Sequence, residues 1–427
     1  MSHVPFHRRS LLTAGLGLGM AACAPKGPGT IRFWAMGREG EVAAELVKGF
    51  EQENPGLRVV VEQLPWSSAH EKLLTAFAGD ATPDIAQVGN TWLPEMDALG
   101  ALEPLDTLLA DTPSIQSRDY FDGIWNTNRV GGRHVGIPWY VDTRLLFYRK
   151  DLLAQVGFAN APSQWADWLR CMAALKAGPV THPILLPTNE FEPLLALALQ
   201  QDEELLSNRC RYGQFSAPGF QRALRFYLSL FEQGFAPGVN NNQVANLWQE
   251  FGRGTFAFYI SGPWNIGEFK RRLAPQLQNS WATAPLPGPV GPGASIAGGA
   301  SLAIFKRSSV KPAAWKLVEY LNRPSVQLAF YHLTGNLPPR RTTWALPLST
   351  GQTLAQDPYA QAFAKQLEQV KPPPAVPEWE RIALEMQLFA ARAIHYKTSV
   401  ADTTLALDQR VDAILEKRRW MQDRGSL

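Results

Sequence analysis

Only three cysteines and seven histidines occur among 427 residues, and neither type falls into a ligand pattern. Apart from His3 and His7 in the first residues there is no H-x-x-x-H pair, and there is no C-x-x-C pair, so the spacings that bring imidazoles or thiolates onto one zinc ion are missing from the rest of the chain. A G-x-S-x-G elbow, which would expose a serine nucleophile at the end of a strand, is absent too. Charge of one sign is also lacking. Lys plus Arg number 41 against 38 acidic residues, which leaves no basic footprint for nucleic acid. Charged residues are only 19% of the chain and apolar ones 45%, a balance that excludes a disordered polyelectrolyte and fits a folded chain with an ample core.

At this length a single core stops growing, so two lobes are expected. The first residues read as a targeting segment, expected over 1–23. Arg8 and Arg9 precede the apolar run Leu11–Ala22, and small residues lead into Cys23, the order of a secretory signal. That run is shorter than the ~20 residues a helix needs to cross a bilayer. The Gly-rich "AGLGLGMA" lies within this segment and is discarded as a nucleotide loop. The segment resembles a twin-arginine export signal joined to a bacterial lipoprotein signal, with Met20 where leucine is usual. The resemblance implies lipidation at Cys23 and contact with the membrane through that lipid, with plain cleavage near Ala22 as the alternative. Either outcome places the mature chain in the periplasm or outside the cell. Cys171 and Cys210 are then left, either as a disulfide that an oxidising compartment permits or as two separate buried thiols.

After the spacer "APKGPGT", the stretch "IRFW" reads as a strand. Val42, Leu46, Val47 and Phe50 then recur at helical spacing, and "LRVVVEQL" supplies a second strand. Ser68 and Glu71 have the spacing of a capping box for the next helix, and "PDIAQVG" gives a third strand. Such alternation predicts an α/β fold with mainly parallel sheets flanked by helices. Helical patterns dominate from Trp165 to Tyr259, with a short strand at "GTFAFYISG". "ASIAGGASLAIF" ends in another strand, and "KPAAWKLVEYLN" and "PSVQLAFYHLTG" are amphipathic helices. Ser399 is placed to cap the last long helix, and "KPPPAVPEW" reads as a surface linker before the terminal helices.

In an open α/β sheet, ligands bind in the crevice beyond the carboxyl ends of the strands. The residues expected there are Trp34, Arg38, Glu39, Glu41, Asn90, Trp92, Trp139, Tyr140, Asp142 and Arg144. Aromatic faces with carboxylates, an amide and a guanidinium suit a neutral polyhydroxylated ligand, whose C–H faces pack on rings while charged groups bond its hydroxyls. Tyr140, Asp142 and Arg144 share strand parity and should face one side. For Arg144, a ligand contact and a salt bridge to Asp142 or another acid are both open, and Trp139 fits core packing as well as a ligand contact.

Seven blocks, in order, carry a family resemblance. They are "IRFWAMG", "FEQENPG", "PDIAQVGNTWLPEM" with "GALEPLD", "GIPWYVDTRLLFYRKDLL", "FAFYISGPWNI", "GGASLAIFKRSSVKPAAWKLVEYL" and "GNLPPRR". The chain resembles the extracellular solute-binding proteins of bacterial ABC sugar importers, the group with the maltose and trehalose binders. The resemblance implies two lobes, discontinuous in sequence, with the sugar held in the cleft between them. The expected segments are 30–138 and 281–337 for the first lobe, and 139–280 and 338–427 for the second. It implies sugar contacts from Tyr140, Asp142, Trp264, Arg340 and either Glu39 or Glu41. Gly89 and Ala300 depart from the family pattern, which has an aspartate and a tryptophan there, and Asn90, Trp92 and Gly299 are the neighbours expected to take over. The implied protein is not an enzyme, needs no cofactor or metal, acts as a monomer, and hands an α-linked disaccharide or short oligosaccharide to membrane permeases and, through them, to an ATPase. The rivals are a glycoside hydrolase, which needs a carboxylate pair in the cleft, and a receptor for a charged solute such as a polyamine or glycerol phosphodiester, which needs an excess of one charge there.

Overall fold

The computed structural model describes residues 29–425 apart from 179 and 245. The export segment and Cys23 lie outside the described residues. Nine strands build the two main sheets: β1 (Thr30–Met36), β2 (Arg58–Leu64), β3 (Ile85–Gly89), β4 (Ile137–Asp142), β5 (Leu145–Arg149), β6 (Ile184–Leu185), β7 (Phe258–Ser261), β8 (Trp281–Ala284) and β9 (Gly298–Ile304). The first sheet has the order β2-β1-β3-β9-β4 and the second β8-β5-β7-β6. Each sheet runs one way except for one strand. In the first, β9 is antiparallel to both β3 and β4; in the second, β5 is antiparallel to both β7 and β8.

The helices that matter here are α1 (Gly37–Glu53), α2 (Trp66–Ala78), α3 (Glu192–Leu199), α4 (Pro218–Glu232), α5 (Trp264–Arg272), α6 (Lys311–Leu321), α7 (Pro324–Thr334), α8 (Trp379–Tyr396) and α9 (Val400–Ile414). Period-two alternation decides where they pack. Along β1, Ile31, Phe33 and Ala35 join α1, α6 and α7 in one core, while Trp34 and Met36 face α2 in another. Along β5, Leu146 and Tyr148 point to the large core shared with α4, α8 and α9, and Leu145 and Phe147 to the core under α5. A slip of one residue would exchange the faces of every side chain in such a strand, so the two cores on either side of each strand fix its register.

Helix ends agree with the sequence in one place and not in another. Ser399 accepts the amide of Asp402 at 3.0 Å and caps α9, a bond worth roughly 1 kcal/mol. The expected capping box at Ser68 and Glu71 does not form. Pro65 presets the entry to α2, the helix begins at Trp66, and the Ser68 hydroxyl turns back to the Pro65 carbonyl at 3.5 Å.

The chain passes between the sheets at Thr143 and Arg144. All of β4 pairs with β9, so the passage follows Asp142 and does not fall at 139 as expected. The return lies between Ala284 and Gly298, not at 281, because β8 pairs with β5 in the second sheet. Cys171 and Cys210 are free thiols. The proline-rich segment is partly covered rather than wholly on the surface, since Val376 and Trp379 anchor it in the large core.

Candidate functional site

Chain direction brings the site together. The carboxyl ends of β1, β3 and β4 and the start of β9 meet at one edge of the first sheet. The second sheet opposes them with the start of β5 and the end of β7. Between them is a cavity of about 640 Å³, within the size range of small-molecule sites. Glu39, Asn90, Trp92, Tyr140, Asp142, Arg144, Trp264 and Gly299 all line it, as does Arg38.

Tyr140 and Asp142 stand on the same face at the end of β4. The Tyr140 hydroxyl accepts from Gln87 Nε2 at 3.1 Å, and Gln87 is itself fixed by the Met36 amide at 2.7 Å. Burial, with Glu39 and Asp142 nearby, pushes the Tyr140 phenol well above its ordinary pKa, so it stays a neutral donor. Burial also raises the Asp142 carboxyl, against the opposing pull of Arg144. The Arg144 guanidinium bonds Asp142 through Nη1 and Glu192 through Nη2, the latter at 2.7 Å, and its Cζ lies 4.9 Å from the centre of the Trp264 ring. Burial works against its charge, yet the two flanking carboxylates hold its pKa above the usual arginine value. One cation thus joins a carboxylate of the first body to one of the second.

Local backbone makes room for this arrangement. Gly299 has φ +130°, and a Cβ there would lie 2.3 Å from the Tyr140 carbonyl oxygen, so only glycine permits β9 to approach β4 so closely. A Cβ on Gly262 would meet the Trp264 ring at 1.8 Å, so glycine lets that ring fold back over the entry to α5. Glu39, Glu192 and Glu380 each occupy the first turn of a helix, where the positive end of the helix dipole favours a carboxylate. Glu39 accepts from Asn336 at 2.6 Å and from Trp66 Nε1 at 3.4 Å, and burial raises its pKa.

Four expected residues lie elsewhere. Glu41 pairs with Arg38 at the surface at 2.7 Å and does not reach the cavity; two residues on from Glu39 is about 200° around the helix. Arg340 is buried away from the cavity, and its donors are used by Asp119 at 2.6 Å, the Asn322 carbonyl at 2.7 Å and the Ser114 carbonyl at 3.0 Å. Trp139 is fully buried and stacks on Phe330 at 4.4 Å, and Trp34 is likewise a core residue. Asn90 lines the cavity, but its amide also bonds Thr127 and Ser301, both at 2.9 Å.

The structure adds Trp66, Glu192 and Glu380, each outside the seven motif blocks, and Asn336, which lies within the last of them, "GNLPPRR". Only a helix-start position could have marked Trp66, Glu192 and Glu380, whereas Asn336 is marked by the block that also holds Arg340. The two departures from the family pattern, Gly89 and Ala300, are register partners across β3 and β9. The Trp92 ring fills the space above Gly89, where a Cβ would lie 3.2 Å from it. Among the described residues no group of three or more His, Cys, Asp or Glu side chains could hold a metal ion.

Two α/β bodies meeting at a cavity, crossed by the chain itself, define a two-lobed binding protein. The profile of the bacterial extracellular solute-binding proteins matches residues 36–328, and the chain belongs to that family. This is a family of binding proteins rather than of enzymes. The chain is similar to the sugar-binding protein MalE of Xanthomonas citri, with 53% identity and a TM-score of 0.88 over 92% of this chain and 99% of that one. It is also similar to the maltodextrin-binding protein MdxE of Bacillus subtilis, with 26% identity over 78% of this chain and 77% of that one. The maltose-bound MalE3 of T. maritima, at 24% identity and a TM-score of 0.77 over 90% of this chain and 99% of that one, shares the fold. Among the described residues no helix is long and apolar enough to cross a membrane.

Proposed function

We propose that this protein is the sugar-capturing component of a bacterial ABC importer, taking an α-linked disaccharide or short oligosaccharide of the maltose, trehalose or maltodextrin kind. The observation that carries the reading is the pairing of Tyr140 and Asp142 with Trp264 across a cavity between two lobes. Tyr140 donates and Asp142 accepts at the hydroxyls of one ring, and Trp264 packs against its C–H face. Glu39 and Asn90 bond further hydroxyls, Trp92 offers a second aromatic face, and Gly299 lets the ligand approach the backbone of β9. The similarity to sugar-binding MalE, at 53% identity, supports the class of ligand. Sugar binds both lobes together only when they close, so it shifts an open–closed equilibrium, and the membrane permeases take the sugar from the closed form. The monomer is the working unit, and a lipid on Cys23, after export by the twin-arginine-like segment, holds it at the membrane.

A thermal-shift and calorimetry panel of maltose, trehalose, sucrose and longer maltodextrins tests the reading. At least one member should raise the melting temperature, because a ligand that binds only the folded state stabilises it by mass action. Asp142→Ala should weaken that binding by about 100-fold or more, as expected when a charge-assisted acceptor in an enclosed site is lost. Silence across the panel would refute the sugar class, and unchanged affinity in Asp142→Ala would refute the site.

A further inference from the structure

We propose that Gln87 is a positioning residue for sugar binding: it fixes the direction in which the Tyr140 hydroxyl points its proton, and so obliges the sugar to present a hydroxyl oxygen that accepts there. The inference rests on the sugar-binding reading above and adds a residue that does not itself line the cavity.

Gln87 is the one polar side chain of β3, whose sequence is Ile-Ala-Gln-Val-Gly, and it is fully buried in the strand between β1 and β9. Alternation puts it on the face of Ile85, which packs in the same core as Tyr140. A buried amide needs partners at both of its ends. At Gln87 the two ends serve different parts of the molecule. Oε1 accepts at 2.7 Å from the amide of Met36, the residue that leads into α1, and Nε2 donates to the Tyr140 hydroxyl at 3.1 Å. Holding the start of α1 needs only the oxygen. The nitrogen is left for the site.

What each group can do sets the direction of these bonds. A backbone N–H only donates, so the Gln87 oxygen must face Met36 and the nitrogen must face Tyr140; the reverse orientation would set two donors against each other. The amide nitrogen has no acceptor capacity, so the Tyr140 oxygen accepts from it, and the single hydroxyl proton has to leave in another direction. Glu39 and Asp142 act on the phenol through their charge, but among the described residues no hydrogen bond joins Tyr140 to either carboxylate. Tyr140 lines the cavity, and a sugar oxygen there takes the proton. Without Gln87 the hydroxyl could rotate and offer the sugar a lone pair as readily as a proton, so the bond would no longer be prepared before the sugar arrives.

The test is a double-mutant cycle read by calorimetry with maltose and trehalose, using whichever sugar the wild type binds more tightly. Gln87→Met should weaken binding about 3-fold or more while the Tyr140 hydroxyl is present, and should cost nothing further in the Tyr140→Phe background. The melting temperature should fall in both backgrounds, because the Met36 amide loses its acceptor in each, so a purely structural role would carry the affinity loss into both. A second measurement leaves Gln87 unchanged and decides the matter if Gln87→Met does not fold. Monodeoxyfluoro derivatives of the sugar keep an acceptor where the monodeoxy derivatives have none. At one ring position the fluoro compound should bind the wild type more tightly than the deoxy compound, and that preference should vanish in Tyr140→Phe. Equal losses from Gln87→Met in both backgrounds, no loss in either, or no fluoro-over-deoxy preference that depends on Tyr140 would each overturn the inference. A wild-type protein that binds neither parent sugar refutes the proposed function instead, and this inference falls with it.

Discussion

Replacing Arg144 by methionine isolates the cation that joins the two lobes. Its side chain is 12% exposed and its acidic partners Asp142 and Glu192 are 27% and 26% exposed, so the trio is mostly but not wholly withdrawn from water. Removing one partner of a buried ion pair costs about 3–5 kcal/mol, and the residual exposure of the acids argues for the lower end, about 3 kcal/mol. At ~2–4 °C per kcal/mol for domains of this size, the melting temperature should fall by ~6–12 °C. The loss has a pH signature. Burial already raises the Asp142 carboxyl against the pull of Arg144, and the variant removes that pull. An acid whose pKa is higher in the folded state binds its proton more tightly there, so stability falls as pH rises between the unfolded and folded values. The deficit of Arg144→Met should therefore be largest near pH 8 and shrink towards pH 5, about one unit above the ordinary aspartate value. Melting curves of both proteins at the two pH values decide the matter. Equal deficits at both, or none at either, would refute the reasoning.

Two further outcomes separate the cavity from its surroundings. Glu41→Ala removes an exposed pair with Arg38 and should change sugar affinity less than twofold, since such pairs contribute ~0–1 kcal/mol, whereas Arg340→Met breaks the enclosed bond to Asp119 and should lower the melting temperature while leaving the ranking of sugars intact in calorimetry. Gly299→Ala drives a Cβ to within 2.3 Å of the Tyr140 carbonyl at a φ of +130°, so β9 and β4 must separate; strain of this kind costs ~1–3 kcal/mol, and both melting temperature and sugar affinity should drop, with preserved affinity counting against Gly299 as part of the site.

Alternating apolar residues made the strands legible, and the order of the seven blocks made the family so. The carboxyl-end rule is enough to put Glu39, Asn90, Tyr140 and Asp142 on one edge. It failed at Glu41 because a strand-end rule ignores the 3.6-residue turn that follows, and at Arg340 because a local motif does not reveal which distant acids and carbonyls use up a guanidinium. Glu192, Asn336 and Glu380 come from helices and loops far along the chain. Their convergence depends on how the second lobe and the terminal helices pack, which periodicity does not encode. The passage from one sheet to the other falls a few residues later than expected because Trp139 and Tyr140 belong to the apolar alternation of a strand that runs on to Asp142.

Two passages of the chain between the lobes that lie beside the cavity, after Asp142 and before Gly298, set the thermodynamic terms on which capture occurs. A ligand that needed two separate proteins to enclose it would have to offset the translational and rotational entropy of bringing them together. Here the two halves of the site are tethered at a high effective concentration by covalent links beside the cavity itself, and only a rotation remains to be restricted. A few hydrogen bonds and one or two stacked rings can therefore hold a small neutral molecule, and the same modest total lets it go again.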